Sequence, residues 1–161
     1  AKKTKNLKVR TWTGEVLPAK IFKSSVNKDI DLCTIYIASP GSGLSKIRLS
    51  NNRPVPGDRV ISMAAPAGIY HPPTVPILEG VYSGKIPGGN SAMVTIPAKG
   101  GASGALILNQ DFKIVGVIYA VSLSFEHVTI SVDYNSTKVF IKESIKKFKH
   151  QEKKLPVKLI Q

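Results

Sequence analysis

The chain has one cysteine, Cys33, in 161 residues. No disulfide can therefore form within it, and the apolar, strand-like run around Cys33 predicts a buried, inert thiol. No apolar run approaches the roughly 20 residues needed to cross a bilayer as a helix. Residues 1–8 lack the apolar segment of a signal peptide, so localisation is left open. There are three histidines, His71, His127 and His150, far apart in sequence. No Cys/His cluster has zinc-site spacing, and no cofactor or metal is expected. Acidic residues are also scarce: 10 Asp and Glu stand against 23 Lys and Arg, a net charge of +13.

That excess is concentrated. Residues 1–10 carry five basic and no acidic side chains, and residues 138–158 carry eight lysines and two glutamates. The middle of the chain is close to neutral. Two basic ends predict contact with something acidic, an acidic protein surface or nucleic acid, against the alternative of a merely solubilising surface. No aromatic residues interleave with these lysines in the manner of base-stacking platforms.

A hydrophobic content of 42% is that of a folded domain with a substantial core. Most of the chain reads as short strands. Residues 7–12 alternate apolar and polar, as a half-buried strand does. Residues 16–22 form a second strand, with Pro18 suited to an edge or a bulge. Residues 32–37 form a third. Residues 51–58, with two prolines and a glycine, mark a boundary. Strands follow at 59–65, 78–85, 92–96, 106–108, 114–119 and 126–132, separated by turn signals, the pattern of an all-β barrel or sandwich. One helix closes the chain. Asn135, Ser136 and Thr137 are its predicted cap, and Ile141, Ile145 and Phe148 its apolar stripe. The organisation expected is 1–50, 51–135, a helix at 136–150 and a basic, apolar-tipped tail at 151–161.

One loop stands out, Gly100-Gly101-Ala102-Ser103-Gly104-Ala105, leading into Leu106-Ile107-Leu108. Small residues on both sides leave the Ser103 hydroxyl accessible, and glycines permit backbone conformations with positive φ. Such a turn can aim two N–H groups at one point, as an oxyanion hole requires. A plain turn before a strand is the alternative on these residues alone.

The loop resembles the Gly-Asp/Asn-Ser-Gly-Gly-Pro nucleophile loop of trypsin-like serine endopeptidases. Phe112-Lys113-Ile114-Val115-Gly116-Val117 resembles the strand pair behind it. Asp31-Leu32-Cys33-Thr34-Ile35-Tyr36-Ile37 is similar to the Asp-Leu-Ala-Val-Leu-Lys-Ile stretch of HtrA-type members. Gly57-Asp58-Arg59-Val60, Ala65-Pro66-Ala67-Gly68 and Gly80-Val81-Tyr82-Ser83 follow the same group's order. The resemblance spans about residues 6–148. It implies two antiparallel β-barrels, the first incomplete, with a C-terminal α-helix. It also implies a polypeptide substrate, Ser103 as nucleophile and Asp31 as the carboxylate that orients a histidine, with Asp29 the second choice. The backbone N–H groups of Gly101 and Ser103 would be the oxyanion hole. The substrate pocket would draw on residues 95–99, on Tyr119, Ala120 and Val121, and on residues 128–132. His127 is a further lining candidate, with packing or exposure as the alternative. Glu126 is the nearest acid to that pocket.

The departures are specific. Ala102 stands where the family has Asp or Asn, and Ala105-Leu106 stand where it has Gly-Pro. The family order is His, Asp, Ser, and no histidine precedes Asp31. The resemblance thus leaves two expectations open. Either the histidine comes from an N-terminal segment or a second chain, or the protein is a catalytically inactive, protease-like structural or assembly protein.

Overall fold

A computed structural model describes residues 6–25, 30–37, 45–122, 125 and 127–152, with the backbone alone at Glu152. The fold is all-β with one C-terminal helix. Three strands, β1 (Lys8–Arg10), β2 (Val16–Ser24) and β3 (Cys33–Ile37), form an antiparallel sheet in that order. Six more close an antiparallel barrel: β4 (Arg59–Met63), β5 (Ile77–Lys85), β6 (Ser91–Val94), β7 (Leu106–Leu108), β8 (Ile114–Val121) and β9 (Thr129–Val132). Their order around the barrel is β4-β5-β6-β9-β8-β7. An open first sheet beside a complete second barrel agrees with the architecture that the resemblance implied, two barrels with the first incomplete.

Pro18 is accommodated without a bulge of its own. It lies opposite Lys8 of β1, and the ladder from β2 to β3 begins one residue later, at Ala19 opposite Ile37. Its missing N–H therefore costs no bond to β3. The irregularity in β2 falls further on, between Ile21 and Lys23.

The barrel is filled by side chains from the inward-facing positions of its strands. Val60, Ala92, Val94, Ile96, Ile107 and Ile118 are buried together with Tyr82 and Tyr134. A second cluster joins the parts of the molecule. Leu32, just before β3, meets Val117, Val132 and Phe140, with Ile30, Leu106 and Tyr119 packed around them. Burying a side chain the size of Phe140 contributes about 2 kcal/mol, so this seam fixes sheet, barrel and helix against one another.

Helix α1 (Tyr134–Glu152) differs from expectation in its cap and in its buried stripe. Its cap is Asp133. One carboxylate oxygen, Oδ1, accepts the N–H groups of Asn135 and Ser136 at 2.7 and 3.2 Å, and Oδ2 accepts the Ser136 hydroxyl at 2.9 Å. An acid at this position also meets the positive end of the helix dipole. The buried stripe is Thr137, Phe140 and Ser144, whereas Ile145 and Phe148 are 49% and 38% exposed. Thr137 and Ser144 can be buried because their hydroxyls bond to the carbonyls of Val132 and Phe140. A polar residue so satisfied is invisible to a count of apolar positions.

Cys33 is exposed rather than buried. Leu32 enters the seam and Cys33 follows it, so the alternation of an extended chain turns the thiol outward. Partial burial and the nearby Asp31 carboxylate raise its pKa. The thiolate, the reactive form, is thereby disfavoured.

Candidate active site

The serine loop is shaped by backbone bonds. Ala102 donates its N–H to the Lys99 carbonyl and Ala105 to the Ala102 carbonyl, both at 3.0 Å. Gly104 donates to the Ile118 carbonyl of β8 at 2.8 Å. Gly101 and Gly104 both take left-handed conformations, φ +99° and +92°. At Gly101 the requirement is double, since a Cβ there would lie 2.5 Å from the Ala65 carbonyl oxygen. Ala102 is buried in the barrel core. An Asp or Asn in its place would need a polar partner in that apolar setting, so an apolar anchor replaces the polar one.

Beneath the loop lies the short 3-10 turn Pro66–Gly68. Ala67, held at φ 55°, donates its N–H to the Gly100 carbonyl at 2.7 Å. In the sequence Ala65-Pro66-Ala67-Gly68 is only a matching motif, and nothing in it signals the contact with the serine loop. The Pro-x-Gly spacing signals a tight turn, but not what the turn touches.

Ser103 is exposed, and its hydroxyl donates to the Tyr119 carbonyl of β8 at 3.2 Å. The N–H groups of Gly101 and Ser103 meet no acceptor among the described residues. The loop therefore presents one hydroxyl and two N–H donors from three consecutive residues. Tyr119 is itself held, with its phenol 2.8 Å from the Ser91 hydroxyl.

Asp31 is brought to the same seam. Its neighbours Ile30 and Leu32 pack with Leu106 and Tyr119, and its own side chain is exposed between them. Ser103 bonds to the carbonyl of Tyr119, and Tyr119 and Leu106 pack against the same cluster. No hydrogen bond joins Asp31 to Ser103 among the described residues.

Among the described residues, no hydrogen bond or ion pair joins a histidine to Asp31 or Ser103. His71 is exposed and exchanges backbone bonds with Thr74. His127 is exposed and meets Phe125 edge-on at 5.6 Å. His150 is exposed near the end of α1. Asp29 and Glu126 lie outside the described residues.

Of the pocket segments, Ile96 is fully buried and Thr129 bonds to its carbonyl at 2.6 Å. Ala98, Tyr119, Ala120 and Val121 are half-buried. No described carboxylate belongs to these segments. Among the described residues, no group of three or more His, Cys, Asp or Glu is gathered closely enough to hold a metal ion.

The sequence matches no curated protein. The chain is similar in structure to the serine endoprotease from Yersinia pestis, with a TM-score of 0.72 at 15% identity. That match covers 90% of this chain and 50% of the other, so this chain spans half the length of its structural relative. At that identity the likeness is one of fold. The profile of the trypsin-like peptidase domain matches residues 2–117, a stretch that takes in the first sheet, the serine loop and most of the barrel, and by that match the chain belongs to the trypsin-like peptidase domain family.

Proposed function

We propose that this chain carries the nucleophile of a serine endopeptidase that hydrolyses polypeptides through an acyl-enzyme on Ser103. The supporting observation is the serine loop itself. Its hydroxyl is exposed and lightly held, and the N–H groups of Gly101 and Ser103 meet no acceptor among the described residues, in a turn that only glycine permits at position 101.

In this reading the Ser103 Oγ attacks the scissile carbonyl carbon while its proton passes to a histidine. The N–H groups of Gly101 and Ser103 receive the resulting oxyanion. The tetrahedral species collapses to the ester, and the amine leaves with the proton from the histidine. Water then repeats the sequence and frees Ser103. Asp31 orients the histidine. That histidine is supplied by an N-terminal segment or by a second chain, since a serine hydroxyl without a base is a poor nucleophile at neutral pH.

The test is fluorophosphonate labelling of the full-length protein, read by mass on the Ser103 peptide. Stoichiometric labelling is expected. No labelling of a protein that contains an upstream histidine would sink this reading. The Ser103 hydroxyl bonds to a carbonyl and to no described histidine. That observation favours the second reading, a protease-like scaffold without activity, which the same experiment separates from the first.

For specificity, the pocket segments 95–99, 119–121 and 128–132 offer no carboxylate to pair a buried cation, and an unpaired buried charge is strongly disfavoured. The enzyme therefore prefers small or apolar residues before the cleaved bond. Profiling on a peptide library decides it, and strong cleavage after Lys or Arg overturns the assignment of the pocket.

A further inference from the structure

Strand β8 departs from regular pairing at one residue beside the serine loop. Towards β9, Ile118 stands opposite Ser131 and Ala120 opposite Ile130, so Tyr119 is the extra residue of a β-bulge. Towards the serine loop, β8 presents two consecutive carbonyls. Ile118 accepts the Gly104 N–H at 2.8 Å, and Tyr119 accepts the Ser103 hydroxyl at 3.2 Å. In a regular strand successive carbonyls point to opposite edges. The bulge is therefore what turns the second carbonyl towards Ser103.

A bulge disrupts the ladder locally and needs support from elsewhere. The Tyr119 side chain provides it. Strand β9 lies between β8 and β6, and the Tyr119 phenol reaches across it to the Ser91 hydroxyl of β6, at 2.8 Å. Ser91 is a firm anchor. Its carbonyl accepts the Ile86 N–H, and the Asn90 carbonyl before it accepts the N–H of Asp133, the cap of α1, both at 2.8 Å. The Tyr119 side chain also packs against the cluster that contains Leu32, the residue after Asp31. One residue thus touches Ser103 through its carbonyl and the seam that carries Asp31 through its ring.

We propose that Tyr119, anchored by Ser91, is the positioning residue for the Ser103 hydroxyl. The inference rests on Ser103 being the nucleophile. The Ser91–Tyr119 bond holds the bulge, the bulge aims the Tyr119 carbonyl, and the carbonyl sets the direction of the Ser103 Oγ. Packing against Leu32 keeps that geometry in register with Asp31. Neither Tyr119 nor Ser91 exchanges a proton or forms a bond with substrate in this role.

The test is a double-mutant cycle in the full-length protein. Ser91→Ala and Tyr119→Phe each delete one half of the hydrogen bond and keep the ring in place. The second-order rate of fluorophosphonate labelling at Ser103 is expected to fall about fivefold in either variant, the worth of one lost hydrogen bond. It should fall no further in the double variant. Val60→Ala, in the barrel core, is the stability control. It lowers the thermal midpoint at least as much and should leave the labelling rate unchanged. A second readout needs no chemistry at Ser103. The Gly104 amide, bonded beside the bulge, should exchange with deuterium faster in Ser91→Ala and in Tyr119→Phe, while the Thr95 amide, bonded to the Val81 carbonyl, should not. Labelling of wild type with equal rates in the variants overturns this inference and leaves Ser103 standing as the nucleophile. Losses that multiply in the double variant overturn it too, since the two side chains would then act separately. So does an equal slowing in Val60→Ala, which lost stability alone would explain. No labelling of wild type sinks the reading of Ser103 instead. The Gly104 exchange then decides the anchoring: faster exchange upholds it, and unchanged protection overturns it.

Discussion

The Ala67 N–H donates to the Gly100 carbonyl at 2.7 Å, one residue before the proposed oxyanion donor Gly101. That bond, and the Ala65 carbonyl oxygen standing where a Cβ on residue 101 would be, tie the serine loop to a turn more than thirty residues earlier in the chain. The position of the Gly101 N–H is thus set by a tertiary contact as well as by the loop's own bonds.

Gly101→Ala should therefore disable the loop. The substitution places a Cβ 2.5 Å from the Ala65 carbonyl oxygen and holds alanine at φ +99°. Loss of one oxyanion donor costs about 10²- to 10³-fold in turnover. Fluorophosphonate labelling of Ser103 in the full-length protein should slow by at least that order, and the thermal midpoint should fall as well, because a backbone carbonyl must shift to admit the Cβ. A labelling rate equal to wild type removes Gly101 from the proposed machinery.

How much of this was readable in the residues varies with the element. The barrel strands were legible because alternation and turn residues are local signals: β5, β7 and β8 stand close to where the pattern puts them. The serine loop was legible because glycine on both sides of one serine is a rare local arrangement. The helix stripe was not. Thr137 and Ser144 are buried through bonds to carbonyls that a hydropathy pattern does not register, and Ile145 and Phe148 have the spacing of core residues although both stand exposed. The clamp on Gly100 was hidden for a similar reason, since no periodicity encodes a contact across that sequence distance.

The helix reading can be checked by stability. Phe140→Ala should cost about 3–5 kcal/mol, since it empties a buried ring position in the seam. Ile145→Ala, at a residue 49% exposed, should cost about 1 kcal/mol or less. Urea unfolding of the two variants compares them directly. A larger loss at Ile145 than at Phe140 would restore the stripe expected from spacing.

Asp133→Ala removes the cap of α1 and leaves the N–H groups of Asn135 and Ser136 without their acceptor. It also removes the partner that Lys85 approaches to 3.9 Å. Cap loss costs about 0.5–2 kcal/mol. Asp133→Asn keeps an acceptor oxygen and should recover part of that stability. Equal losses in the two variants would show that charge, not the hydrogen bonds, is what the cap supplies.

The neighbourhood of Asp31 can be probed through Cys33, in which partial burial and then the Asp31 carboxylate raise the thiol pKa. A raised pKa lowers the thiolate fraction at any given pH, so iodoacetamide should alkylate Cys33 at pH 8 more slowly than free cysteine. Asp31→Asn removes the second cause and leaves the first. Alkylation should speed up, yet remain below the rate for the urea-unfolded chain. The same sign governs stability. The folded state holds the thiol proton more tightly, so this contribution is complete below the unfolded pKa and is lost as pH rises through the higher folded value. An alkylation rate unchanged by Asp31→Asn would mean that the carboxylate does not act on the Cys33 thiol.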